Sequence, residues 1–144
     1  MFLHGNKIFI KIIPVFLCLH FSLVAQKVIM DDLVKGKWYV EGNLNDSTVK
    51  LARKRNLAAP FRTYTFVQAG VIQRCDSVYQ SDFDANGNER QINKLDCNSP
   101  ATFGIKNMVL MVSTGQATFY FIIDPKKGGG YILKRTKSDY YYQN

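Results

Sequence analysis

The stretch Leu33-Val34-Lys35-Gly36-Lys37-Trp38-Tyr39-Val40 holds the only tryptophan of the chain, just after a glycine and at the head of a strand-like run. Ahead of it, Met30 to Val34 combines two acids with apolar residues, which suits one short helical turn. Gly36 then lets the backbone change direction. From Lys37 onward, short β-branched and aromatic runs are cut by Gly, Asn, Asp and Pro, and no long stretch has helical periodicity. That pattern predicts an antiparallel sheet, sandwich or barrel.

The first strand should run from Lys37 to about Leu44, with Trp38, Val40 and Leu44 on one face and Lys37, Tyr39, Glu41 and Asn43 on the other. Thr48 to Pro60 breaks the pattern, mixing Val49, Leu51, Ala52, Leu57 and Ala58 with four basic residues. It is expected as a short helix, a mobile lid or a solvated loop. Arg62 to Gln68 alternates again, with Tyr64 and Phe66 together, and Ala69-Gly70 turns it into Val71 to Gln80 as a hairpin. Asp82 to Asn88 is turn chemistry that returns the chain along Glu89 to Cys97. Its Asp-x-Asp-x-Asn-Gly also matches the first half of a calcium-binding loop. Asn93 stands where a bidentate Glu is needed, so the hairpin reading is preferred. Thr102 to Ser113, Ala117 to Asp124 and Tyr131 to Lys137 complete seven runs. An eighth strand would come from splitting Val71 to Gln80 or Thr102 to Ser113, giving an antiparallel up-and-down β-barrel, with an open sandwich as the alternative.

Met1 to Lys11 carries Lys7 and Lys11 and no acid, and Ile12 to Ala25 is almost entirely apolar. This is the pattern of a secretory signal, with cleavage expected after Ala25. The mature chain, residues 26–144, would be one β-barrel domain, secreted or periplasmic, with no stable membrane anchor after cleavage. Its net charge would fall from +8 to about +6, a soluble basic surface. No nucleic-acid module is recognisable and nucleic acid is not an expected partner.

Both histidines, His4 and His20, lie in the expected signal, so the mature chain lacks Ser-His-Asp and Cys-His machinery. The carboxylates are scattered, and no enzyme, metal site or cofactor is expected. Cys75 and Cys97 remain, an even number in an oxidising compartment, so a disulfide is the default. If they face each other across the second hairpin, the centre of the turn falls at Asn86, inside the turn-forming Asn-Gly. The same register sets Asp76 opposite Asp96.

Gly36-Lys37-Trp38 after a short helical turn resembles the Gly-x-Trp signature of the lipocalins and their smaller bacterial lipocalin-like relatives in the calycin group. The resemblance implies that Gly36 and Trp38 close one end of a barrel. It also implies that a basic residue near the last strand packs over the indole: Arg135, or else Lys134 or Lys137. The loop after the first strand would lie beside the ligand entrance, and the barrel would bind a small, largely apolar molecule. Alternation offers Val40, Tyr64, Phe66, Tyr79, Met111, Phe119 and Phe121 as inward candidates for contact with it. The basic run Lys50 to Arg55, as a lid, would favour an acidic head group. The alternative is a filled barrel acting as a protein-interaction or inhibitor module through its loops and the tail with Tyr140, Tyr141 and Tyr142. Oligomeric state and ligand identity are not legible.

Overall fold

The computed structural model describes residues 23–97 and 100–143. Most of the expected signal, residues 1–22, lies outside the described residues. Residues 23–33 are helical (α1), longer than the single turn expected from Met30 to Val34. Nine strands follow: β1 (Lys37–Glu41), β2 (Thr48–Ala52), β3 (Arg62–Val67), β4 (Val71–Phe83), β5 (Glu89–Asp96), β6 (Ala101–Lys106), β7 (Val109–Ser113), β8 (Thr118–Pro125) and β9 (Tyr131–Thr136). A single helical turn, α2 (Asp139–Tyr142), comes last.

Eight of these strands close into an all-antiparallel barrel in the order β1-β2-β9-β8-β7-β6-β4-β3, with β3 returning to β1. From β3 onward the barrel strands are a meander. The first hairpin is turned inward, so that β2 rather than β1 pairs with β9. The expected helix or lid after the first strand is therefore partly a strand. Val49 and Leu51 are buried while Thr48 and Lys50 point out, a period of two that the charged residues around it disguised. Residues 54–61 then lie over the outer face of β1, where Asn56 donates to Glu41 at 3.1 Å and the Phe61 ring meets Tyr39 at 6.2 Å.

Of the two long runs, Thr102 to Ser113 is the one that splits. Asn107 and Met108 both adopt positive φ, 52° and 60°, and make the tight turn between β6 and β7. Val71 to Gln80 does not split; it runs on to Phe83. Only its first part belongs to the barrel. The remainder pairs with β5 and projects as a two-stranded ribbon of roughly 25 Å. The register is the expected one: Asp76 faces Asp96, and Cys75 and Cys97 are bonded at the root of the ribbon. With its cysteines 22 positions apart in sequence, the loop so closed contributes about 3 kcal/mol on the chain-entropy account.

The core runs the length of the barrel, and one end of it is sealed. Trp38, fully buried, donates its Nε1–H to the Leu33 carbonyl at 2.9 Å, while Ile29 and Leu33, one turn apart on α1, cover that end of the barrel. Gly36 has φ +141°, a conformation that side-chain-bearing residues rarely adopt, and this lets the chain turn from α1 into β1. The cation over the indole is Arg53, 3.5 Å from the ring centroid, and not Arg135. Arg53 also donates to the Asp32 carbonyl at 2.7 Å and pairs with its carboxylate at 3.2 Å. The correction follows from the order of strands: β2 ends beside α1, whereas Arg135 ends β9 at the opposite end. Lys134 and Lys137 lie near Arg135, and Lys134 pairs with Asp124.

Trp38→Ala is expected to lower stability by about 3 to 5 kcal/mol. Arg53→Ala should cost about 1 kcal/mol, and Arg135→Ala should leave the tryptophan emission unchanged. Denaturant unfolding of the three variants checks this.

Candidate binding site at the open end

Three strands end at the open mouth in the same way. On β3 the inward row Phe66, Tyr64 finishes with Arg62; on β4 Ile72 is followed by Arg74 and Asp76; on β9 Tyr131 and Leu133 are followed by Arg135. Apolar side chains fill the barrel below, and charge collects at the rim. The turn of residues 42–47 and the turn of residues 114–117 complete the mouth.

A cavity of about 700 Å³ occupies this end, with Leu44, Tyr64 and Phe119 below and Arg62, Arg74 and Asp76 among its polar wall. Arg62 is fixed by three partners: the carboxylate of Asp76 directly across the strand pair, the Gly42 carbonyl at 2.5 Å and Asn43 Oδ1 at 2.5 Å. Arg74 donates to the Tyr64 phenol. Burial pushes the Tyr64 pKa up, and the charges of Arg62 and Arg74 oppose that rise. Arg135 donates to the Leu44 carbonyl at 2.6 Å and lies over the Phe119 ring at 4.7 Å and Phe121 at 5.6 Å. The rim thus presents guanidinium groups held by fixed partners beside an aromatic floor.

The seven expected contact residues separate into three groups. Tyr64 and Phe119 line the cavity. Val40, Phe66 and Phe121 are buried in the packed interior beneath it. Tyr79 and Met111 are not inward at all. Tyr79 is 75% exposed on the ribbon, because β4 has left the barrel by that point. Met111 faces outward on β7 opposite Gly104, since the turn at Asn107-Met108 sets its phase. The basic run also misses the mouth: Lys50 pairs with Glu41 at 3.4 Å, Arg53 covers Trp38, and Arg55 lies 4.9 Å over Phe61. Arg62 and Arg74 are not among the residues expected from the sequence to contact a ligand. The signal was present as arginine two residues beyond an inward aromatic or aliphatic residue on adjacent strands.

The tyrosine-rich tail is docked on the barrel. Tyr141 packs against Tyr120 at 5.8 Å, and a Cβ on Gly104 would come within 2.6 Å of its hydroxyl. A glycine on the outer face of β6 thus makes the seat for that ring. The calcium-like loop is a turn. Asp84 accepts from the Asn88 and Asn86 backbone N–H groups at 2.9 and 2.8 Å, and these bonds, Asn88 first, hold its carboxyl below the usual range.

No known protein family, curated protein or solved structure matches the chain. The eight-stranded antiparallel barrel is consistent with a calycin-like fold. Among the described residues no helix is long and apolar enough to cross a membrane.

At the opposite end, Tyr131 donates to Asp32 at 2.7 Å, and burial, followed by that bond to a carboxylate, raises its pKa well above the ordinary value. Tyr64 shifts in the same direction. Both tyrosines favour the neutral form in the folded chain, so their contribution to stability is complete below the unfolded tyrosine pKa of about 10 and is lost as pH rises beyond it. The denaturant midpoint should therefore be flat with respect to these groups up to about pH 9 and fall above about pH 10. Tyr131→Phe should reduce the alkaline slope, which titrating the midpoint of both proteins will check.

Proposed function

We propose that the chain is an exported, non-enzymatic binding protein that takes a small amphipathic molecule at the mouth of its barrel. The apolar part of the ligand rests on Tyr64 and Phe119, and its polar head meets the rim formed by Arg62 and Arg74. The observation that carries the reading is the cavity of about 700 Å³ at one end of a barrel whose other end is sealed by Trp38 and α1. Its size is that of an ordinary small-molecule site. The basic n-region, the apolar segment after it and the Cys75–Cys97 bond support export.

A packed interior limits how far a ligand descends. Trp38, Phe66, Leu110 and Phe121 occupy the barrel below the mouth, so the ligand is half-covered and its head group supplies part of the affinity. Burial of ~200 Å² of apolar surface at about 25 cal/mol per Å² would give roughly 5 kcal/mol, short of micromolar binding by itself. A charge-assisted bond from the rim adds about 1.5 to 3 kcal/mol. An acidic amphiphile such as a fatty acid is therefore favoured over its neutral analogue. The second reading, a protein-interaction module, draws on the exposed Tyr79, Phe83 and Leu95 of the ribbon.

Extraction of the protein from its native host followed by mass spectrometry should yield a bound amphiphile. Titration should then show fatty acids binding at least about 10-fold more tightly than the matching alcohols, with the difference lost in Arg74→Gln. No saturable binding of either class rejects the carrier reading; equal affinity for both rejects the role of the arginines.

A further inference from the structure

Where the ribbon leaves the barrel, one edge of β4 becomes open. β3 accompanies β4 only as far as Asp76, and a last bond joins Ser77 N–H to the Phe61 carbonyl at 2.9 Å. From Tyr79 to Phe83 no strand lies along this edge among the described residues. Two bonds fix the phase of its backbone. Asp84 N–H donates to the Asn88 carbonyl at 3.0 Å, so the even residues of outer β4 turn their polar groups toward β5. The odd residues, beginning with Ser77, turn theirs away. Tyr79, Ser81 and Phe83 thus offer N–H and C=O groups outward, and their side chains share one face. Tyr79 is 75% and Phe83 65% exposed.

The two edges of the ribbon differ in charge. The β5 edge carries Glu89, Arg90, Lys94 and Asp96, the kind of charged strand that discourages pairing. Val78 to Phe83 on β4 carries a single charge, Asp82, which is paired with Arg90 at 2.9 Å. A strand-forming, nearly uncharged segment with unpaired backbone groups is a template for another strand.

We infer that this edge is a homodimer contact, in which outer β4 pairs antiparallel with the same segment of a second copy about Ser81. Tyr79 then lies opposite Phe83 of the partner subunit, and Phe83 opposite Tyr79 of the partner subunit. A two-fold axis through the sheet keeps all four rings on one face, where aromatic cross-strand pairs are favourable. Both neighbouring two-fold registers are blocked. A shift toward the barrel sets the partner's Phe83 opposite Ser77, whose N–H is already held by Phe61. A shift outward sets Asp82 opposite the partner's Asp82. The open stretch from Tyr79 to Phe83 matches in length the segment that would fill it. The result is a four-stranded sheet, β5-β4-β4-β5, joining two barrels, and it turns a ribbon of marginal stability into a broader one. This contact is independent of the cavity and of whatever binds there.

Sedimentation equilibrium of the purified mature protein tests the inference. A reversible monomer–dimer equilibrium is expected within about 1 to 500 µM, since a contact this small is not obligate. Ser81→Pro removes an N–H on the open edge only; it should weaken association by about 100-fold while leaving unchanged the thermal midpoint of the monomer, measured at dilution. Asn93→Pro, the matching change on the outward edge of β5, should not weaken it. A monomer at every concentration overturns the inference, as does a dimer that survives Ser81→Pro or is abolished by Asn93→Pro.

Discussion

One indole closes this barrel. Trp38 lies against α1 with its only polar atom satisfied by the Leu33 carbonyl and with the Arg53 guanidinium over its ring. Burial of such a side chain is favourable only while its N–H has a partner and water is kept from its faces. The arrangement therefore requires α1, the turn at Gly36 and the end of β2 to be in place together. Asp32 connects them further, accepting from Arg53 and from the Tyr131 hydroxyl on β9. Helix, first hairpin and last strand are tied at one point. Closure of the sheet, which needs β2 to reach β9, depends on it.

The opposite end is built on the reverse principle. There the inward rows finish in arginine and aspartate, the ring does not seal, and the structure leaves a cavity in place of a plug. The wall beside it continues into the ribbon. A two-stranded hairpin is marginal in water, and this one has little core to rest on, since nearly all of β5 is exposed. Its stability comes from the turn held by Asp84, from the Asp82–Arg90 pair and from the Cys75–Cys97 bond at its root. The disulfide thus supports the element least able to support itself.

Much of the barrel was legible because alternation reports burial directly: Trp38 with Val40, Tyr64 with Phe66, and Phe119 with Phe121 and Ile123 all point inward as their spacing implies. The hairpin register was legible for a second reason, since the Asn-Gly turn and the cysteine spacing imposed it independently. The identity of the cation over Trp38 was not. It depends on which strand ends beside α1, a matter of strand order that local pattern does not carry, and so Arg53 stands where the resemblance implies Arg135. β2 was hidden because a strand with one solvent face tolerates lysine there, and five residues leave little room for a periodic signal. Tyr79 was misplaced for a related reason. Alternation continues along β4 past the point at which the barrel stops, and only the three-dimensional end of β3 reveals it.

The dependence of the fold on the sealed end is open to a direct measurement, because the chain has a single tryptophan. The emission of Trp38, followed with a collisional quencher through denaturant unfolding, reports that site alone. The account predicts blue-shifted, poorly quenched emission in the native protein, and a change to water-like emission in the same transition that abolishes the β-sheet circular dichroism. Water-like, freely quenched emission under native conditions would contradict it, and so would exposure of Trp38 in an earlier transition that leaves the sheet intact.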